Sequence, residues 1–484
     1  MKKITFLLSL IFACLGGVSA YAQDDSGLEL DRSTWKITAS SQCYDSGTIG
    51  YVDDIKDGNV NTYWHSNWQE NGIGLGGSLP EWFIIDLGEI KTFYGFGYQP
   101  RAGLNNGTAT SYRLYVSEQP FDDVTTPATD AAHKTYVQNK TGEAMSGTWS
   151  WLNANEKVEV APQALKGRYV MFVILDSQGQ DPHKWASCTE FHIYLAKGLL
   201  SAKLNEIKGC PLYLNQGTDP GYYTVNNSDF ASTMENAQTV LNAETSTEND
   251  YYTASQNISA AYNEGFSLNP VTEGYYMIVN GLQAFKTQQG VEKTMYAGAT
   301  APMWGNLNEK DGTQYWYLKA TDGGFSIQNV ARETNITGLS SLGSDETTLT
   351  FTNLSSPGEF NIKLNNNTLH ANNHGNGAGI GSNIVSWGGN ANSPSSWKLR
   401  RVEDIESLKP VFLQTAKETL ESTLASKKQT LADADGTNPG QSLDVSSLKE
   451  EIKKAEDQKS ELSTTKQYLD AEAQFAAAFN SAVS

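Results

Sequence analysis

His370 and His374 stand four residues apart, the spacing at which two imidazoles on one helix face can hold zinc. The glutamate that would follow the first histidine and act as general base is missing, and Ala371 stands there instead. Asn372, Asn373 and Gly375 form helix poorly, so the two rings need not share a face and zinc chemistry is not expected. The adjacent acids Asp53-Asp54 and Asp122-Asp123 point to opposite sides of an extended chain. They are therefore unsuited to work as an acid/base couple across one bond. The sequence has no Gly-x-Ser-x-Gly elbow, no P-loop and no Cys-x-x-Cys. These residue types lead away from an enzyme.

Composition leads away from two other classes. Lys+Arg number 35 against 54 Asp+Glu, a net charge of −19. Such a surface repels nucleic acid and anionic lipid and suits neutral ligands. Aromatic residues make up 11% of the chain. Their faces stack on sugar rings, but they also fill β-sandwich cores.

The first residues read as an export leader. Lys2 and Lys3 precede an apolar run over residues 4–15, which is too short to span a bilayer. Ala20-Tyr21-Ala22 offers a cleavage point, giving a signal peptide over residues 1–22. Ile11-Phe12-Ala13-Cys14 loosely resembles a lipobox, so lipid attachment at Cys14 is the alternative. The expected location is secreted, periplasmic or cell-surface, with no integral membrane segment. Export permits a disulfide, and Cys43 with Cys188 is the candidate pair. Cys210 is the odd one, read as a small buried apolar residue.

Four regions follow, separated by their hydrophobic period. Residues 30–196 alternate in short aromatic-rich runs such as EWFIIDLG, SYRLYVS and RYVMFVIL, bounded by Gly, Asn and Asp, and read as an all-β sandwich. Residues 197–265 switch to a helical period: Leu200, Leu204 and Ile207, then Phe230, Met234, Ala237 and Leu241, then Tyr251, Ala254, Ile258 and Ala261. They read as a three-helix spacer. Residues 266–402 return to strands, and Trp316, Phe360 and Trp397 recur at intervals near 40 residues, which suggests a β-trefoil. Residues 403–484 read as a helical hairpin, broken at Asn438-Pro439-Gly440, its last helix opened by a capping box at Ser447-x-x-Glu450. Those helices are a possible docking surface for a protein partner.

The first sandwich resembles the coagulation factor 5/8 type C, or discoidin-like, domain, and specifically family 32 carbohydrate-binding modules. The resemblance rests on ordered segments: WKITASS from Trp35, DGNVNTYWHS from Asp57, PEWFIIDLG from Pro80, YQPR from Tyr98, Asn106-Gly107, and RYV then TEFHIY near the end. It implies a ligand site on loops at one end of the sandwich, for galactose-type terminal sugars of glycans. His65, Trp68, Arg101 and Asn106 match the binding positions, and Trp185 is the candidate for a second aromatic. The types suit the task, because Arg supplies planar donors and Asn both donor and acceptor for hydroxyls, while Trp covers the C–H face of a sugar. The resemblance also implies a structural Ca²⁺ beside that site. Asp57, Thr62, the Asn59 region and Glu190 match its ligand positions, with carbonyls near Asp54 and Ile55. Calcium takes about six to eight oxygen ligands. Residues 266–402 resemble ricin-type lectin repeats only loosely, with Leu369–Asn372 and Trp387 able to line one pocket.

The expected protein is thus an exported, non-catalytic carbohydrate-binding protein. An adhesion protein holding a protein or matrix partner through the same β-domains is the alternative. No segment of more than roughly 200 residues is left to house a barrel-type glycosidase.

Overall fold

The computed structural model describes residues 27–44, 50–69, 72–104, 106–179, 184–280, 292–372, 381–388, 393–435 and 445–483. The expected leader and His374 lie outside the described residues. The chain forms two compact units: one runs to Leu214 and resumes over Val225–Phe266, and the other comprises Asn215–Thr224 and the chain from Ser267. Among the described residues, no helix is long and apolar enough to cross a membrane.

The first unit contains the expected β-sandwich. Its strands are β1 (Lys36–Ala39), β2 (Trp64–His65), β3 (Glu81–Gln99), β4 (Ala109–Ser117), β5 (Met145–Thr148), β6 (Lys157–Ser177), β7 (Ser187–Cys188) and β8 (Glu190–Tyr194), with helix α1 (Ala131–Asn139) between β4 and β5. The antiparallel order is β1-β3-β6-β4-β5, with β8 also on β3, and β2 and β7 form a separate short ladder. The long strands β3 and β6 pair along most of their length, with register shifts between Asp86 and Lys91 and between Phe93 and Gly95. The first part of β3 carries β1 and its last part carries β8.

The run Val170–Ile174 in β6 is buried throughout, because it is covered on both faces. Val170, Phe172 and Ile174 face the main core. Met171 and Val173 face a smaller cluster with Trp82, Tyr115 and Val137 of α1. Phe172 is the centre of the main core: its ring lies 5.1 Å from that of Phe191, 5.5 Å from Phe83 and Phe96, and 5.7 Å from Tyr112. Full burial of such a side chain contributes about 1.5–3 kcal/mol.

Three longer helices share this unit: Ala196–Lys208, Phe230–Asn242 and Glu248–Asn263. Leu200, Leu204, Ile207, Phe230, Met234, Ala237, Tyr251, Ile258 and Ala261 form their common core. A reciprocal capping box between Thr247 and Asp250 opens the third helix. That helix is bound to the sandwich: the Tyr252 hydroxyl donates to the Ala161 carbonyl at 2.7 Å, and its ring lies 4.9 Å from Tyr94.

The second unit holds a twelve-stranded antiparallel sheet system, with Gly274–Asn280 flanked by Tyr315–Thr321 and Trp397–Val402. Trp304, Trp316, Phe360 and Trp397 are all in one core. Each indole N–H is satisfied by a backbone carbonyl: Trp304 by Asn372 (2.9 Å), Trp316 by Met295 (3.1 Å) and Trp397 by Leu369 (2.9 Å).

Two expectations are corrected in the fold. The C-terminal region has three described helices, not two: Lys409–Asp435, Val445–Lys459 and Thr465–Val483. The second of these runs over Val445–Lys459 and includes Ser447, so the last helix does not open there. The third is opened by a capping pair at Thr464 and Gln467, in which the Gln467 N–H donates to Thr464 Oγ1 (3.2 Å) and the Thr464 N–H to Gln467 Oε1 (3.1 Å). Second, Cys43 and Cys188 are free thiols, buried like Cys210. Trp64 separates them: its residue pairs with Cys188, while the Cys43 N–H donates to the carbonyl of the next residue, His65, at 3.0 Å. Burial pushes the Cys188 thiol well above its ordinary pKa.

Candidate functional site

The short β2–β7 ladder sets the site. His65 lies opposite Ser187. The Ser66 N–H donates to the Ala186 carbonyl (2.8 Å), and the Ala186 N–H returns to Ser66 Oγ (2.9 Å). These bonds fix the segment after Asp57-Gly58-Asn59 against the segment that enters β8. The β3–β4 loop joins them at Gly107, whose N–H donates to Gln178 and whose carbonyl accepts from Ser187, both at 2.9 Å. Gly107 has φ +98°, and a Cβ there would sit 2.9 Å from Ser187 Oγ; only glycine permits this approach. Tyr98 ties the same segments from below, its hydroxyl donating to the Ser187 carbonyl (2.5 Å) and accepting from the Ala109 N–H (3.0 Å).

His65 is the centre of an aromatic group. Its ring lies 6.5 Å from Trp68, 6.2 Å from Trp185 and 6.4 Å from Tyr63. His65 is buried, whereas Trp68 is 44% exposed. His65 Nδ1 is 2.7 Å from the Ser66 carbonyl. A carbonyl only accepts, so Nδ1 carries the proton and Nε2 is the acceptor of the neutral ring. Trp64, next in sequence, points the other way into the core and donates to the Ser41 carbonyl (2.9 Å). Arg101 joins the group through Tyr63: its guanidinium carbon lies 3.8 Å from the Tyr63 ring centroid, and Nη2–H donates to the Tyr63 hydroxyl at 2.8 Å. Asn106 lies next to Gly107 in the loop that Gly107 pins.

Sequence reasoning did not name Tyr63. Its signal was adjacency: in the extended stretch Tyr63-Trp64-His65, alternation sends residues 63 and 65 to one side when 64 is in the core.

The residues assigned to calcium surround Asp57. Asp57 Oδ1 accepts from the Asn59 N–H (2.8 Å), and Thr62 Oγ1 lies 2.7 Å from both Asp57 Oδ2 and the Asn59 carbonyl. Asp54 faces back, its carboxylate accepting from the Gly50 N–H (3.0 Å), and burial raises its pKa. Glu190 is buried: Arg32 pairs with its Oε2, and Oε1 has no hydrogen-bond partner. Burial, with a smaller contribution from the Asp57 carboxyl facing it, pushes Glu190 up to about 7. Among the described residues, no group of three or more His, Cys, Asp or Glu side chains converges as a metal site. In the second unit, His370 stacks on Trp387 (5.0 Å, 20°) and is held by Ser395 Oγ at 2.8 Å.

Residues 36–191 match the family model of the F5/8 type C domain. The A type blood N-acetyl-α-D-galactosamine deacetylase of Flavonifractor plautii is 31% identical over 90 residues, which are 19% of this chain and 11% of that protein. The chain therefore spans only about a tenth of the length of that curated relative. Similar solved structures include a family 32 carbohydrate-binding module of Clostridium perfringens in complex with GalNAc-β-1,3-galactose, at 26% identity and a TM-score of 0.27, covering 34% of this chain and 99% of that one. The family 32 module of C. perfringens NanJ in complex with galactose is 19% identical, with a TM-score of 0.26, covering 34% and 98%. A chitosan-binding module of a Paenibacillus chitosanase/glucanase is also 19% identical, with a TM-score of 0.23, covering 33% and 93%.

Proposed function

We propose, starting from an F5/8 type C domain at residues 36–191, that this is an exported carbohydrate-binding protein whose first domain holds a terminal galactose-type sugar. His65, Trp68, Arg101, Asn106 and Trp185 are the binding residues. The observation that carries the reading is His65 fixed within reach of two tryptophan rings, with Arg101 joined through Tyr63. A sugar presents hydroxyls that donate and accept, together with an apolar C–H face. His65 Nε2 accepts, Arg101 donates, Asn106 does both, and Trp68 offers an exposed face. A shallow loop site buries little area, so affinity for one sugar unit is weak. A glycan array with the mature chain, followed by calorimetry on parent and Arg101→Ala proteins, tests this. Binding that ignores Arg101 would sink it.

Calcium belongs to the same reading. The supporting observation is Glu190, a buried carboxyl whose Oε1 meets no hydrogen-bond donor among the described residues, with the Asp57 carboxyl facing it. Two such groups fit a divalent cation, with Thr62, Asn59 and the carbonyls of Asp54 and Ile55 completing an oxygen set. When bound, the ion supplies positive charge that holds the Asp57 loop against β8. It takes no part in chemistry, and the protein is read as non-catalytic. The leader at residues 1–22 and a trefoil-like second β-region, built on Trp316, Phe360 and Trp397, complete the proposal.

A further inference from the structure

Both backbone hydrogen bonds of His65 run to residues that precede a tyrosine. Its N–H donates to the Gly50 carbonyl at 3.2 Å, and its carbonyl accepts from the Cys43 N–H at 3.0 Å. Tyr51 follows Gly50 and Tyr44 follows Cys43. The two tyrosine rings lie 6.1 Å apart, tilted by 54°. They are 39% and 48% exposed, whereas Tyr98 and Tyr112 of the same sandwich are in the core. Neighbouring extended segments lie about 4.8 Å apart. The pair therefore starts one segment spacing from His65, and the parallel bridge between Gly50 and Trp64 puts Tyr51 in register with His65, next to the proposed sugar site.

We infer that Tyr44 and Tyr51 form a second subsite that takes the adjoining residue of the glycan. The preferred ligand is then a galactose-terminated oligosaccharide rather than the free monosaccharide. The inference rests on the sugar-binding reading of His65 and Arg101. Two tilted aromatic rings suit this occupant: each presents a π-face to C–H groups, and each hydroxyl can donate to or accept from the sugar's own. The two χ angles of a tyrosine cost little entropy to fix on binding. Affinity gained in this way comes from the second ring of the ligand and leaves the contacts of the first unchanged.

Calorimetry on the mature chain tests it, with methyl β-galactoside, lactose and N-acetyllactosamine as probes. The parent should bind at least one disaccharide about fivefold more tightly than the monosaccharide, the gain expected of one aromatic contact. Tyr44→Ala and Tyr51→Ala should remove that gain and leave monosaccharide affinity unchanged, which also shows that the variants are folded. Equal affinity for all three probes in the parent overturns the subsite. So do tyrosine variants that weaken monosaccharide and disaccharide alike. Failure of the primary site looks different: Arg101→Ala would then bind every probe as the parent does, and a subsite defined by its neighbourhood falls with it.

Discussion

The Arg101 guanidinium carbon lies over Tyr63, 3.8 Å from the ring centroid, with Nη2–H on the Tyr63 hydroxyl. Tyr63 in turn packs 6.4 Å from His65. The arginine is thus oriented before any ligand arrives, and binding costs it little rotamer freedom. Arg101→Ala should weaken binding of a galactose-terminated glycan by about tenfold or more, since hydrogen bonds to a charged group are worth about 1.5–3 kcal/mol. Tyr63→Phe keeps the stacked face and loses only the hydroxyl, so it should cost about threefold or less. Calorimetry on the two variants separates contact from orientation, and a Tyr63→Phe loss as large as that of Arg101→Ala would refute the division.

The proposed calcium ion at Asp57 and Glu190 would tie stability to pH and to calcium. Glu190 is raised to about 7, chiefly by burial. In the unfolded chain it titrates near the ordinary glutamate value of about 4.3. Because the folded value is the higher one, the folded state binds its proton more tightly. Its contribution to stability is fully present below about 4.3 and is lost as pH rises towards 7. In chelator, the melting midpoint should therefore carry a declining component over that window. Millimolar Ca²⁺ should restore the midpoint at neutral pH, by mass action on the native state. Glu190→Gln should remove both the decline and the response to calcium. Equal midpoints with chelator and with calcium at neutral pH would count against an ion at Asp57 and Glu190.

The strands and helices around these sites were legible because each has one dominant period. RYVMFVIL reads as a buried strand, and in β6 it is covered on both faces, by the main core and by the smaller cluster. Leu200, Leu204 and Ile207 read as one helix face, and they share a core. The third C-terminal helix was not legible, because its opening signal, Thr464 with Gln467, lies only a few residues beyond the end of the helix before it. The grouping of His65, Trp68 and Trp185 depends on the β2–β7 ladder, two residues on each strand. No periodicity announces a ladder so short. The Cys43–Cys188 pairing failed for a related reason: closeness of the domain's ends says nothing about which strand lies between them.

The free thiols give a direct expectation. With Cys43, Cys188 and Cys210 all reduced and buried, the melting midpoint of the mature chain should be the same with and without reductant. A thiol reagent should react slowly with the native protein and fully in denaturant. A midpoint lowered by reductant would mean that a disulfide forms.

The last expectation concerns the ion pair under the sandwich. Lys134 of α1 and Glu81 of β3 are both buried, with Nζ and Oε1 2.6 Å apart. Glu81 Oε2 also accepts from the hydroxyls of Ser40 and Ser41, whose segment leads to the Cys43 N–H that bonds His65. The pair therefore supports the strand beside the site as well as the core. Removing one partner leaves a buried charge without compensation, which typically costs about 3–5 kcal/mol. Lys134→Met should destabilise the domain by that order, measured by chemical denaturation at neutral pH. Burial already raises Glu81 above the ordinary carboxylate range in the parent, against the lowering effect of Lys134. Without the lysine, Glu81 should rise further and fold protonated. The defect of Lys134→Met should then shrink as pH falls towards the unfolded-state value of about 4.3. Glu81→Gln in the Lys134→Met background, which carries no charge, should recover part of the loss at neutral pH. A defect of the same size at pH 5 and pH 8 would show that lost side-chain packing, and not the uncompensated carboxylate, is what Lys134→Met costs.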